Sequence, residues 1–379
     1  MDPLDDFGFN EMKMNVSNKV QNVISVKTSS SKKIILSSKI ENFKIQVGPK
    51  VIKACSILKN VLKFTNDAES IIEVEMTQKQ LEKFIELHEH FSEDDPWNKK
   101  EQYWMKKFFS KMSDEDFKEL CWKADYLDSQ RFLNNAAFYL LSKLQTMKIA
   151  DFQQYLNIVN DYSEDEKQAI KDGPFKYFTS IAIEQENLEL ENIEDNRHVF
   201  YPLKKHKMEF IFQKQNFSFP KSLINFTFTT SMIPKDLFYK LYSTCKYFFL
   251  NLKLLPCQRL RAGIYETNNF HISYGNELID LPLTCVKNLN ANFYICHEIS
   301  ETSRCSPENL NILLKKIIRH EITYACVVNK DLTLTVSEFM FLFTYVKDAV
   351  LCMKVFDANN KMVPVEDLLQ LLPNVQNFK

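Results

Sequence analysis

The stretch NIVNDYSEDE, residues 157–166, lies where one predicted helix ends and another begins. Residues 149–158 have the apolar spacing of a short helix. Ser163 and Glu166 then have the spacing of a capping box, in which each side chain bonds the main chain of the other residue. Gly173-Pro174 indicates where the second helix ends. The stretch therefore predicts a sharp junction between two short helices.

The sequence on the N-terminal side of this junction predicts a small α+β domain. In the second of three expected strands, Phe43, Ile45 and Val47 alternate with polar residues. The three strands are expected at 33–38, 42–47 and 71–76. Helices are predicted over 51–64 and after the capping residues Thr77, Ser113 and Ser129. Strands followed by a run of helices are typical of α+β folds.

The last hundred residues predict alternating strands and helices. Apolar runs that suit strands are centred near Cys296, Cys326 and Cys352, with spacings of 30 and 26 residues. Helices are predicted between and after them, over 308–319, 335–346 and 365–372. A βα unit of this length is close to the period of leucine-rich repeats, although their asparagine-ladder consensus is absent. The pattern leaves an ordinary α/β domain open as the alternative.

Two prolines mark the helices expected between these halves. Pro220 and Pro234 each stand where a helix can begin. After Pro234 one amphipathic helix is predicted, whose apolar residues recur at Leu237, Leu241, Cys245 and Phe248. Residues 179–215, which combine an acidic run with the basic run at 204–207, are predicted to be a linker. Residues 1–32 are predicted to be a polar tail.

Composition excludes several classes of function. Lys and Arg number 48 and Asp and Glu 49, so a globally basic nucleic-acid binder is not expected. The five glycines are too far apart for a Walker loop or a dinucleotide fingerprint. The nine cysteines contain no C-x-x-C pair, so we expect free, buried thiols rather than a zinc site or a disulfide framework. No cofactor and no metal are predicted.

The sequence predicts neither secretion nor membrane insertion. Its first residues have neither the basic nor the apolar region of a signal peptide. The most apolar stretches, 247–255 and 339–346, are too short to span a bilayer. We therefore expect a protein of the cytoplasm or nucleus that binds neither membranes nor nucleic acids.

About ten elements in unbroken order, from residue 33 to residue 178, resemble the family of S-phase kinase-associated protein 1, the adaptor of Skp–cullin–F-box ubiquitin ligases. The most specific match is the stretch 157–166, which looks like the family's asparagine–isoleucine–x–asparagine–aspartate–aromatic–hydroxyl–acidic motif. Leu36-Ser37-Ser38 and the run at 124–128 are similar to further family motifs. The resemblance implies a BTB/POZ-type domain over 33–128 and helices over 129–178 that dock an F-box.

The same resemblance implies roles for particular residues. In the family an Asn-Tyr pair contacts the cullin, and Asp125 and Tyr126 occupy those positions here, so that a charge replaces an amide. The family's closing tryptophan is absent, and Phe175, Tyr177 and Phe178 are the residues available to fill its place. The implied F-box-docking residues are Leu133, Ala136, Leu140, Phe152, Ile158, Tyr162, Ile170 and Phe175.

Residues 216–256 resemble a degenerate F-box. Pro220 belongs to a Phe-Pro pair that is similar to the Leu-Pro opening of an F-box, and Pro234 begins a stretch that is similar to its second half. The implied contact residues of this segment are Leu237, Leu241, Cys245 and Phe248. Residues 257–379 are similar in outline to the repeat domains that follow F-boxes and receive substrates.

The resemblance therefore implies an adaptor and a substrate receptor of a cullin-based ubiquitin ligase, fused in one chain. Such a chain is not an enzyme, because it only holds a substrate near an enzyme that the cullin recruits. The expected partners are a cullin, the chain's own F-box-like segment and an unidentified substrate protein, with other F-box proteins as an open alternative. Two other functions stay open: a decoy that no longer binds cullin, and an enzyme of unknown type in the C-terminal domain.

Two patterns of histidine and cysteine are weaker candidates for chemistry. His88 and His90 have the spacing of two metal ligands on a strand, but on the predicted helix they point apart. Cys296-His297 and His320 provide the residue types of a thiol nucleophile and its base. We expect a core cysteine and surface histidines at these positions instead.

Overall fold

The computed structural model describes residues 33–65, 68–91, 99–183, 214–229, 233–262, 269–302 and 305–379. The predicted polar tail, most of the predicted linker and its basic run lie outside these residues. The described chain is a mixture of helices and strands that is compatible with the predicted α+β class. None of the described helices combines the length and the apolar character needed to cross a membrane.

The first strands form a three-stranded sheet. β1 (Lys33–Ser38) lies between β2 (Lys44–Val47), which is antiparallel to it, and β3 (Glu69–Val74), which is parallel. α1 (Pro49–Ala54) and α2 (Ser56–Phe64) connect β2 to β3. The single helix predicted over 51–64 is therefore wrong. Cys55 has an extended backbone and forms an isolated bridge with Ser129, which separates the two helices.

A run of helices follows this sheet. They are α3 (Gln78–His90), α4 (Lys99–Phe109), α5 (Asp114–Tyr126), α6 (Gln130–Thr146), α7 (Ile149–Leu156), α8 (Glu164–Asp172) and α9 (Pro174–Ala182). The capping box predicted for Ser163 and Glu166 is confirmed. Helix α9 continues through Ala182, so the linker predicted from residue 179 begins too early.

Three shorter helices connect the two halves: α10 (Lys221–Thr229), α11 (Lys235–Tyr242) and α12 (Lys246–Leu252). Pro220 and Pro234 directly precede α10 and α11, in agreement with the prediction. The single helix predicted from Leu237 through Phe248 is wrong, because Cys245 has an extended backbone. The carboxylate of Asp161 accepts a hydrogen bond from the main-chain N–H of Lys246 at 2.9 Å. This contact satisfies an unpaired N–H group at the start of α12.

The C-terminal residues form a second sheet with helices between its strands. In chain order the elements are β4 (Leu254–Ala262), β5 (Asn269–Tyr274), β6 (Glu277–Pro282), α13 (Leu283–Lys287), β7 (Asn292–Thr302), α14 (Pro307–Lys315), β8 (Ile317–His320), β9 (Tyr324–Thr335), α15 (Val336–Phe343), β10 (Asp348–Phe356), α16 (Val365–Gln370) and β11 (Asn377–Phe378). The strands β4, β7, β9, β10 and β11 are parallel and adjacent in chain order. This order agrees with the predicted alternation of strands and helices.

Two details of this sheet differ from the prediction. The antiparallel hairpin β5–β6, which the sequence analysis did not predict, pairs with the edge of β4 that faces away from β7. The helix predicted over 308–319 ends at Lys315. Residues 317–320 instead pair with β7 as β8, because this arrangement buries Ile317 and His320.

Candidate functional site

Residues 214–229 and 233–252 lie on helices α5 to α9, and we call this contact the seam. Amide hydrogen bonds hold its first part. The side-chain amide of Gln215 bonds both the N–H and the carbonyl oxygen of Val159, each at 2.9 Å. Asn157 Nδ2 donates to the carbonyl oxygen of Asn216 at 2.7 Å. These bonds fix the segment against the junction between α7 and α8.

Phe219 anchors the next part of the seam. Its buried ring lies 5.5 Å from the ring of Phe117 and 5.7 Å from that of Tyr155, between centroids. Pro220, also buried, leads into α10, which packs against α6 and α5. Buried aromatic pairs stabilise a contact beyond the area that they bury. An apolar anchor therefore joins this segment to α5 and α7.

Helices α11 and α12 close the seam over α7, α8 and α9. Tyr162 Oη donates to the carbonyl oxygen of Tyr242 at 2.7 Å, and Gln153 Nε2 donates to that of Thr244 at 3.0 Å. The last carbonyl groups of a helix have no partner within it, so these donors satisfy the end of α11. The ring of Phe178 in α9 lies 5.2 Å from that of Tyr242.

A buried ion pair crosses the seam. Lys246 Nζ lies 3.0 Å from Glu166 Oε2, and the two side chains are only 3% and 12% exposed. Glu166 also accepts hydrogen bonds from the main-chain N–H of Ser163 at 2.8 Å and from Tyr177 Oη at 3.2 Å. Burial raises the pKa of Tyr177, which keeps its hydroxyl group protonated as a donor. Both carboxylate oxygens of Glu166 therefore accept a hydrogen bond in addition to the ion pair with Lys246.

The predicted docking residues are all buried, and two of them have defined contacts with the seam segment. Tyr162 bonds the end of α11, and the ring of Phe175 lies 6.2 Å from that of Tyr239. The others are buried in the continuous hydrophobic core: Leu133, Ala136, Leu140, Phe152, Ile158 and Ile170.

On the opposite side of the seam, the predicted contact residues of the F-box-like segment are buried as well: Leu237, Leu241, Cys245 and Phe248. The ring of Phe248 lies 4.9 Å from that of Phe228. This side chain therefore packs on another aromatic ring of its own segment.

Sequence reasoning missed the polar contacts of the seam. Glu166 was assigned only to a capping box, and Gln153 was given no role. The signal that could have found the ion pair is Lys246, a charged residue within the apolar run 245–250. Lysine is rarely buried without a partner, so such a position favours a carboxylate opposite it.

The two residues implied in cullin contact lie at the end of α5, beside the seam. Tyr126 is 67% exposed, and Trp122, one turn earlier on the same face, is also exposed. Trp122 Nε1 donates to the carbonyl oxygen of Ser218 at 3.1 Å. Asp125 is half-buried and accepts a hydrogen bond from Ser222 Oγ in α10. The seam segment therefore orients this surface.

The histidines on α3 have separate structural partners. His88 is fully buried, with Nδ1 2.6 Å from the carbonyl oxygen of Phe84 and Nε2 2.7 Å from Ser129 Oγ. Burial lowers the pKa of His88 to about 4. His90 pairs with Glu101 instead, at 3.0 Å. Among the described residues, no three His, Cys, Asp or Glu side chains converge as a metal site.

Cys296 and the histidines near it are not arranged as a nucleophile and its base. Cys296 is buried as predicted, and burial raises its pKa to about 12. His320 is buried too, so the predicted surface position is wrong; its Nε2 bonds the carbonyl oxygen of Phe341. His297 is exposed as predicted and bonds Thr323 Oγ1. The prediction that the cysteines are buried is wrong for Cys352, which is exposed, and for Cys326, which is half-buried.

Compared with known proteins, the chain matches no family model and no curated protein. The motif residues and the contacts of the seam are therefore the observations that bear on the function of this protein.

Proposed function

We propose that the chain is the adaptor and substrate-receptor subunit of a cullin-based ubiquitin ligase of the Skp–cullin–F-box type, with both parts in one polypeptide. The observation that carries this proposal is the seam. Helices α10 to α12 and Phe219, which belong to the segment that resembles an F-box, lie on the helices that resemble the F-box-docking helices of the adaptor family. The resemblance implied this contact, because the last helices of the adaptor family dock an F-box and the chain's own F-box-like segment was the expected partner.

The architecture on each side of the seam supports the finer parts of the proposal. The three-stranded sheet with its helices suits the BTB/POZ-type domain implied for 33–128. The parallel strands in chain order, with helices between them, suit a βα-repeat domain of the leucine-rich type. In this arrangement the first domain meets the cullin and the repeat domain receives the substrate.

The protein's contribution to ubiquitin transfer is proximity. The seam fixes the position of the C-terminal sheet relative to Tyr126 and Trp122 because its contacts are buried on both sides. A substrate held by the sheet is then presented to an enzyme that the cullin recruits. This role needs no cofactor and no reactive side chain, and it belongs to the cytoplasm or nucleus.

A pull-down with a cullin N-terminal domain tests the proposal. We expect the wild type to bind and Tyr126→Ala to lose affinity by roughly 30-fold, because an exposed aromatic side chain is a typical binding hot spot. Tyr103→Ala is the matched control, since Tyr103 is 70% exposed on a different helix, and it should bind like the wild type. A folded wild type that binds no cullin, or equal losses for both variants, would contradict the proposal.

One observation favours the decoy as the second candidate. The family's amide is replaced by Asp125, and this carboxylate already holds the hydroxyl group of Ser222. A decoy would show no cullin binding for the wild type, although its fold is intact. Asp125→Asn would restore binding in a decoy that lost it through the added charge.

A further inference from the structure

The turn of the hairpin β5–β6 reaches back to the seam. Glu277 accepts hydrogen bonds from the main-chain N–H groups of Phe175 and Lys176, at 3.3 and 3.0 Å, in the first turn of α9. A Cβ atom at Gly173 would lie only 2.8 Å from the carboxylate, so glycine permits this close approach. A carboxylate at a helix N-terminus satisfies unpaired N–H groups and interacts favourably with the helix dipole.

Tyr274, on the other side of the same turn, contacts α11. Its hydroxyl group donates to Asp236 Oδ1 at 3.1 Å, and its ring lies 4.6 Å from that of Tyr239. Helices α9 and α11 lie on opposite sides of the seam. The hairpin turn therefore bridges both sides, and its full set of contacts forms only when the seam is closed.

We propose that the turn at Tyr274 and Glu277 is a clasp that closes the docking helices to a second F-box-like segment, so that the chain accepts no F-box protein in trans. The identity of the excluded partner rests on the function proposed above, whereas the clasp rests on the contacts of these two residues. It holds a seam segment that is already covalently linked to the docking helices through residues 184–213.

The covalent link gives the chain's own segment a large advantage over a competitor. A linker of this length provides an effective concentration on the order of millimolar. A competitor of equal affinity at about 1 µM therefore fills roughly one site in a thousand. The clasp adds to this advantage because the hairpin must also leave α9 or α11 before α11 can be displaced.

The test uses the full chain and a labelled peptide of this chain's residues 214–252 as the competing segment. A protease-cleavage sequence inserted within residues 184–213 removes the covalent link on demand. We expect intact wild type to take up no detectable peptide at about 1 µM. After cleavage, Glu277→Ala should take up peptide at least about tenfold faster than cleaved wild type, since it loses both hydrogen bonds to α9. Uptake by intact wild type, or equal rates for the two cleaved chains, would overturn the clasp.

Two further variants control the test. Glu277→Gln keeps an acceptor but loses the charge, so its rate of peptide uptake after cleavage should lie between those of wild type and Glu277→Ala. If Glu277→Ala does not fold, an uptake rate for Glu277→Gln equal to that of wild type overturns the clasp. Glu366→Ala, on the exposed helix α16, should exchange like the wild type. Cullin binding is measured separately on the intact chain, so loss of the proposed function and loss of the clasp give different results.

Discussion

Apolar side chains are buried at the seam but partly exposed around the last strand of the C-terminal sheet. At the seam Phe219 and Tyr242 are buried among other aromatic rings. Around the last strand Met362, Val365 and Leu369 are 60%, 48% and 40% exposed, and α16 buries none of its side chains. Strand β11 pairs in register with only two residues of β10. Stability is therefore concentrated where the halves meet rather than where the sheet ends.

The two regions also differ in their charges. The ion pair between Lys246 and Glu166 is buried, whereas that between Lys354 and Asp331, at 4.0 Å, is mostly exposed. A buried charge needs its partner, because the cost of removing it from water is otherwise uncompensated. The seam can therefore close in one alignment, whereas the exposed pair adds little to the alignment of β9 and β10.

The largest expected effect compares one apolar truncation in each region. Phe219→Ala should lower the free energy of unfolding by about 3–5 kcal/mol, because it removes a buried ring and leaves a cavity. Leu369→Ala should change it by less than about 0.5 kcal/mol, since the side chain is partly in solvent. Urea unfolding of both variants measures the difference. Equal shifts of the two midpoints would show that the regions are equally important for stability.

The buried ion pair provides the next largest effect. Glu166→Gln should cost about 3 kcal/mol, because it removes the carboxylate that pairs with the buried Lys246 ammonium group. The double variant with Lys246→Met should recover to within about 1 kcal/mol of the wild type. Glu164→Gln breaks an exposed pair with Lys167 and should cost at most about 1 kcal/mol. A double variant as unstable as Glu166→Gln alone would refute the role assigned to the pair.

Acid should destabilise the N-terminal half through the buried imidazole of His88. Burial, aided by the charge of Arg131, lowers the pKa of His88 from 6.5 to about 4. The unfolded chain then binds a proton at His88 more readily than the folded chain does. The free energy of unfolding is therefore unaffected by this group above pH 6.5 and decreases as the pH falls towards 4. At pH 5 the titration of His88 lowers the free energy of unfolding by about 2 kcal/mol.

Unfolding measured from pH 7 to pH 4 tests this titration. In His88→Gln the slope of stability against pH should decrease in that range. A smaller slope should persist, because burial also lowers the pKa of His320, in the other half, to about 4. Identical slopes for wild type and variant would exclude a buried neutral imidazole at position 88.

The smallest effect on stability is expected at Cys352, which is exposed near the last strand. Cys352→Ser should change the free energy of unfolding by less than about 0.5 kcal/mol. In alkylation followed by mass spectrometry, Cys352 should react in the folded protein. Cys245 should react only on unfolding, because burial raises its pKa to about 12. Equally fast labelling of the two thiols would mean that the seam opens readily.

Local rules predicted those parts of the fold that depend on neighbouring residues. The capping boxes at Thr77 and Ser163 are present, since a hydroxyl residue and a Gln or Glu three positions later bond each other's main chain. Pro220 and Pro234 mark helix starts for the same local reason. The strands near Cys296, Cys326 and Cys352 were found because their apolar runs are continuous.

The remaining features depend on residues that are far apart in the chain. The break before Lys246 requires Asp161, 85 residues earlier, as a cap. His320 is buried because Phe341 offers its carbonyl oxygen, and no periodicity reveals such a partner. Glu277 looks like an exposed residue of a turn until α9 is placed beside it. The apolar residues of the seam were accordingly predicted from the sequence, whereas its polar contacts were not.

The sequence separation across the seam has a consequence for biosynthesis. The hydrogen bond of Tyr162 cannot form until Tyr242, 80 residues later in the chain, has left the ribosome. At about 5–20 residues per second, the newly made helices stay uncovered for roughly 4–16 s. During that interval we expect their apolar surface to bind chaperones and to promote aggregation with neighbouring nascent chains on the same messenger RNA.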